Sequence, residues 1–446
     1  LEEILKQKST LASKLAGLAV ALAAISMNVS AQNTSWTSLA SGNWEDATWS
    51  SGLPASTKNV FLTNAGIKAV QISPATRTNA PLSTTVSNFT VSGPIGQGNE
   101  FLLNFAGGSG ALHVLSNFNV GFNGTVACDH SGFQVDGTML VDGFVNQDGP
   151  GTNIIGQLLY LATNGTAFYN QTNGFVFAGN LSVGSLPTGA DGSFWQMNGT
   201  NIIQSTLRIA GANSPFTSYE IDAGSLSAGN LVLSAFSEFD LFGGVVNATN
   251  IVLDGATALL RHTGGTLNNV GTFTFGGGAF ISSQPENLGK LVLTNDSGDD
   301  MNGFTQQFAK SSALAWNGTG FLHITNWVGS TNGGGANQFI VGNSAAGLTV
   351  AQLSRILFEN PSGFSTGSYP ARILSTGEVV PTGQPILFIA RSGANVIVSW
   401  LPNGNFVLQS ASNLSGPYSD VVGAGNPYTN TPSIGGKKFY GLRKGP

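Results

Sequence analysis

The chain is short of cysteine, of charge, of helix signals and of recognisable catalytic motifs, and each shortage excludes something. Cys128 is the only cysteine in 446 residues, so no internal disulfide can form, and with only His130 close by there is no metal set around it. Charged side chains make up 9 % of the chain and the net charge is -5. A mildly acidic chain that reads without a basic patch offers little to a phosphate backbone, and no nucleic-acid partner is expected. The four histidines, His113, His130, His262 and His323, share no metal-ligand spacing. No phosphate loop or dinucleotide fingerprint is present. Gly363-Phe364-Ser365-Thr366-Gly367 spells a nucleophile elbow, but Pro361 and Tyr369-Pro370 deny it the buried strand before and the helix after that an elbow requires.

What the chain does have is glycine, 61 residues, and 41 % hydrophobic residues. That combination excludes disorder and points to an all-β protein rich in turns. Between Ala167 and Gly277 the sequence repeats itself every 20 to 26 positions on one glycine per turn, Gly174, Gly199, Gly224, Gly244 and Gly265. Five residues before each stands Tyr169, Phe194, Tyr219, Phe239 or Leu260. An apolar-x-apolar triplet follows each one, Leu181-Ser182-Val183, Leu207-Arg208-Ile209, Leu231-Val232-Leu233, Ile251-Val252-Leu253 and Phe273-Thr274-Phe275. Fixed-period self-similarity means a solenoid, and the period of two within each copy means that its walls are strands. The expected fold is a right-handed parallel β-helix with end caps. Asn-Gly and Asp-Gly turns such as Asn123-Gly124 and Asp136-Gly137 also suit hairpins, but one glycine corner per strand and the longer period favour coils.

The first 31 residues read as a secretory leader. Lys6, Lys8 and Lys14 flank the start of the apolar run Leu15 to Ile25, and Val29-Ser30-Ala31 supplies the small residues of a cleavage site. No apolar run long enough to cross a membrane follows it. Residues 32–58 hold Trp36, Trp44 and Trp49, expected to cap the open end of the solenoid, with a carbohydrate-binding platform as the alternative. The β-helix is expected over 59–290, and its last coils and C-terminal cap over 291–381. The one helix expected after the leader opens at the capping-box spacing of Thr349 and Gln352. After the Pro/Gly link at 381–385, residues 382–446 alternate as a small β-sandwich-like module.

Three stretches carry a family resemblance. SGNWEDATWSSGLPASTKNVFL resembles the opening of large secreted proteins of the Verrucomicrobia and Planctomycetes group that carry autotransporter-associated β-strand repeats. SSALAWNGTGFLHITNWVGS and LTVAQLSRILFENPSGFSTGSYPARILSTGEVVP are similar to the segment closing their repeat region, and VIVSWLPNGNFVLQSASNLSGPYSDV with KFYGLR to their C-terminal module. The resemblance implies a β-helical extracellular or cell-surface protein and brings no catalytic residues with it.

The repeat itself nominates a site. Four residues before each glycine lie Asn170, Trp195, Glu220, Asp240 and Arg261, which stacked coils would bring into one outward column at about 4.8 Å per step. Glu220 and Asp240 would be adjacent, with Trp195 above and Arg261 below. Such a pair can bind a sugar or, with one carboxyl protonated and the other ionised, hydrolyse it. The alternative is an ion-pair ladder on a polar surface. Around Asp296, Asp299 and Asp300 a tight acidic turn could hold calcium, although it lacks the distal Glu of an EF-hand loop. No other cofactor is expected. The expected role is that of a secreted or cell-surface β-helix with a non-enzymatic function, in adhesion, as a structural element or in contact with polysaccharide or a matrix component. The alternative is a glycoside hydrolase or polysaccharide lyase of the pectin-lyase-like β-helix class.

Overall fold

The computed structural model describes residues 31–185, 188–211, 217–364, 366–382, 386–401, 406–431 and 437–444. The leader up to Ser30 and the Ser365 of the elbow-like motif lie outside the described residues. The chain forms two compact units, Leu1–Gly179 and Asn180–Pro446. No described helix is long and apolar enough to cross a membrane.

In the first unit the strands pair with the next coil, not with their neighbour in sequence. Gln32–Ser35 runs parallel to Lys58–Leu62, and that strand to Asn88–Val91, which in turn pairs with Phe118–Val120. A second parallel ladder links Lys68–Ile72, Asn99–Val114, Gly124–Val135, Phe144–Asp148 and Ala167–Gln171. Hairpins would have to be antiparallel, so this is a parallel β-helix, and its ladder begins at Gln32 within the segment expected to be a cap. Trp36, Trp44 and Trp49 are buried. Trp49 meets both of the others edge-on, and Trp44 packs on Phe89 and Phe101. Their rings fill the interior, which leaves no exposed aromatic platform there. A second short helix, Pro74–Asn79, was not expected from the sequence; Pro74 opens it, and Thr76 Oγ1 accepts a hydrogen bond from Ser73 N–H at 3.0 Å. Cys128 is buried, and burial pushes its thiol up to about 12.

The second unit is built in the same way, and here the repeat can be checked residue by residue. Phe194 pairs with Tyr219, Tyr219 with Phe239, Phe239 with Leu260 and Leu260 with Phe280. All five are fully buried. The rings of Phe194, Tyr219 and Phe239 stack with centroids 4.7 and 5.4 Å apart. The triplets register likewise, Leu207 on Leu231 on Ile251 on Phe273 on Leu291. Gly224 and Gly244 make the corner possible for two reasons. Both have positive φ, 83° and 74°, and a Cβ on either would stand 2.1 or 2.5 Å from the carbonyl oxygen of the glycine one coil earlier.

Parallel pairing reaches Leu322–Thr325 and Ile356–Glu359. The antiparallel strands Ser368–Ile373 and Glu378–Pro381 then join that ladder, giving the last edge a partner. The expected helix is present as Val350–Leu353, with Thr349 Oγ1 accepting from Gln352 N–H at 3.2 Å and Gln352 Oε1 from Thr349 N–H at 2.8 Å. The module that follows consists of two three-stranded antiparallel sheets, Ile386–Ser392 with Asn395–Leu401 and Tyr428–Asn430, and Phe406–Ala411 with Ser419–Asp420 and Phe439–Lys444. They share a core of Val398, Trp400 and Leu408.

Candidate functional site

The column nominated by the sequence assembles in the second unit. Trp195 pairs with Glu220, Glu220 with Asp240 and Asp240 with Arg261. Each sits between two inward residues of a strand whose side chains alternate, so all four start from the outer face. Asn170 belongs to the first unit, where its Nδ2 donates to Asn146 Oδ1 at 3.0 Å in an amide ladder.

Two further carboxylates share the face. Glu238 stands two positions before Asp240 on the same side of its strand, and Asp222 follows Glu220 by two positions, just past the strand's end at Ile221. Arg261 bonds Asp240 Oδ1 at 3.1 Å through Nη1 and reaches Glu238 Oε1 through Nη2. Trp195 Nε1 donates to Asp222 Oδ2 at 2.8 Å, which fixes an indole that remains 39 % exposed. Asp240 is only 7 % exposed. The period of two within the strand was the signal for Glu238, and its extension past Ile221 the signal for Asp222; a single aligned column carries neither.

The electrostatics push these groups in one direction. Burial, then Asp222, Asp240 and Glu238, raise the Glu220 carboxyl above its ordinary value. Burial followed by Asp240 raises Glu238, and burial raises Asp240. Arg261 opposes the rise at Glu238 and Asp240 without cancelling it. An acid/base pair needs environments that separate its two members. Here three neighbours shift together, and the least accessible of them is strapped to a guanidinium.

A groove of about 430 Å³ crosses the coils at the next strand, where Ile202, Ser227, Asn247 and Asn268 form a column. Asn268 Nδ2 donates to Asn247 Oδ1 at 2.9 Å. It presents amides, hydroxyls and two exposed apolar side chains, Ile202 and Val270.

The three aspartates considered for calcium do not converge. Ser297–Asp300 is a strand, so Asp299 points inward and Asp300 outward. Asp296 Oδ1 accepts from Phe321 N–H at 2.7 Å, and Asp300 Oδ1 from Asn302 N–H and Asn326 Nδ2 at 2.9 and 2.8 Å. No group of three or more His, Cys, Asp or Glu able to hold a metal occurs among the described residues. Each histidine instead contacts one carboxylate, His113 with Asp136, His130 with Asp129, His262 with Glu286 and His323 with Glu359.

Asp299 is the functional group that the sequence placed wrongly in space. It pairs with Phe280 and Ile324 and so stands inside the coil, in the column that begins with Phe194. Burial raises the group to about 8, with a hydrogen bond from the Gln306 side chain opposing the rise and Asp300 and Glu286 adding to it.

No protein-family model, no curated protein and no solved structure matches the chain.

Proposed function

We propose that this protein is a non-enzymatic β-helix of the cell exterior that contacts polysaccharide along the outer face of its second unit. The observation that carries this reading is the state of the outward stripe. Its exposed ring, Trp195, is fixed by a hydrogen bond to Asp222, while Arg261 occupies Asp240 and Glu238. A fixed aromatic face beside hydrogen-bonding groups suits a sugar ring. The same arrangement ties Asp240 and Glu238 to Arg261, so the Glu220–Asp240 pair lacks an unengaged second carboxylate to attack while Glu220 donates. The neighbouring groove, lined by Asn247, Asn268 and Ser227, extends the polar contact surface across several coils. The leader-like residues 1–31 and the resemblance of both ends to secreted β-strand-repeat proteins support a place outside the cell.

The test is retention on insoluble polysaccharides together with a glycan array, comparing the unaltered chain with Trp195→Ala. Binding that falls with Trp195→Ala at an unchanged melting temperature supports the proposal. Equal binding by the two proteins removes the stripe from consideration.

A further inference from the structure

We propose that the C-terminal module carries a second binding site, a cleft that takes an anionic sugar, and that this site is independent of the solenoid stripe. A cleft of about 630 Å³ opens between the module's two sheets, a size within the range of small-ligand sites. Ile389 and Val396 form an apolar wall from one sheet, Tyr440 faces them from the other, and Asn430 supplies an amide. Lys437 and Lys438 stand at its margin, both exposed, and no carboxylate lines it.

The charge here is local and is not visible in the net charge of the chain. Residues 382–446 contain five Lys or Arg and one acidic residue, Asp420, whereas residues 32–381 contain nine basic and 19 acidic side chains. Asp420 does not neutralise the cleft. It lies on the outer face of its sheet, where Arg443 Nε and Gln409 Nε2 donate to Oδ1 at 2.8 and 2.9 Å and Arg443 holds its carboxyl down at about 2. Among the described residues neither Lys437 nor Lys438 has a carboxylate partner. Two unpaired ammonium groups over an amide and an aromatic ring match a sugar bearing a carboxylate or sulfate: the cations take the anion, the amide takes hydroxyls and the apolar wall takes the ring face. A second copy of the chain is the other anionic candidate. The concavity favours a narrow chain, and in another copy's acidic stripe Asp240 and Glu238 are already engaged by Arg261.

The experiment is binding of the full chain to polygalacturonate, to dextran sulfate and to neutral dextran at fixed ionic strength. Polygalacturonate and dextran sulfate separate a carboxylate from a sulfate as the recognised anion. The Lys437→Gln/Lys438→Gln protein is expected to bind the preferred polyanion about tenfold more weakly at an unchanged melting temperature. Asn430→Ala should weaken it without altering its salt dependence, and Trp195→Ala should leave it intact, so failure here and failure of the stripe are distinguishable. Equal affinity for neutral dextran, or polyanion binding untouched by the double substitution, contradicts the proposal. Salt-sensitive self-association in sedimentation, lost in the double variant while no polyanion binds, also overturns it and makes a second copy the occupant.

Discussion

The two faces of the same strands in the second unit obey one register and opposite rules. Inward, Phe194, Tyr219, Phe239, Leu260 and Phe280 repeat one chemistry, because each ring or aliphatic chain must fill the space left by the coil above it. Outward, Trp195, Glu220, Asp240 and Arg261 pass from an indole through two carboxylates to a guanidinium. Nothing in packing demands that variety. The contrast separates what holds the solenoid together from what it displays. Asp299 crosses the divide, an ionisable group in the inner column.

The largest way to sharpen this contrast is to titrate Asp299. Its folded value of about 8 lies above the ordinary 3.8, so between those values the folded protein keeps a proton that the unfolded chain has released. Asp299's contribution to stability is therefore greatest below about pH 4 and is lost as pH rises to about 8, by at most about 1.4 kcal/mol per pH unit. Asp299→Leu should reduce the slope measured in denaturant titrations at pH 5 and 8, leaving what Glu220, Glu238 and Asp240 contribute. An equal slope in the variant would show that Asp299 is not the group responsible. Next in size is Phe239→Ala, which empties the centre of the ring stack and is expected to cost about 3 to 5 kcal/mol. An unchanged midpoint would break the register on which the comparison rests. The smallest effect belongs to the outer face. Arg261→Ala should cost on the order of 1 kcal/mol near neutral pH and less in acid, where Glu238 and Asp240 no longer repel as anions. A loss independent of pH would mean that the guanidinium packs and does not pair.

The inner column could be read in advance because burial restricts what a position accepts, and the glycine corners set its phase. Tyr219 and Phe239 are spaced by the coil itself. The outer face was legible only in its backbone placement. That Asp240 is covered, that Arg261 bridges to Glu238, and that Trp195 turns its nitrogen to Asp222 depend on side-chain rotamers and on the adjacent column, neither of which a single aligned position encodes. Asp299 was misplaced for a different reason. Asn295-Asp296-Ser297-Gly298-Asp299-Asp300 has the composition of a turn, yet the parallel ladder continues through it and assigns inside and outside by alternation. The cationic cleft escaped notice because its two lysines are diluted in a net-acidic chain and meet Asn430 only when the two sheets close.

The central claim is that the outer stripe binds sugar and does not cleave it. The most direct measurement is reducing-end release from whichever polysaccharide the protein retains, followed for both the unaltered chain and Asp240→Asn. The expected result is retention with no release above the protein-free control, for both proteins. Reducing ends that accumulate with the unaltered chain and vanish with Asp240→Asn would contradict it and make Glu220 and Asp240 an active pair.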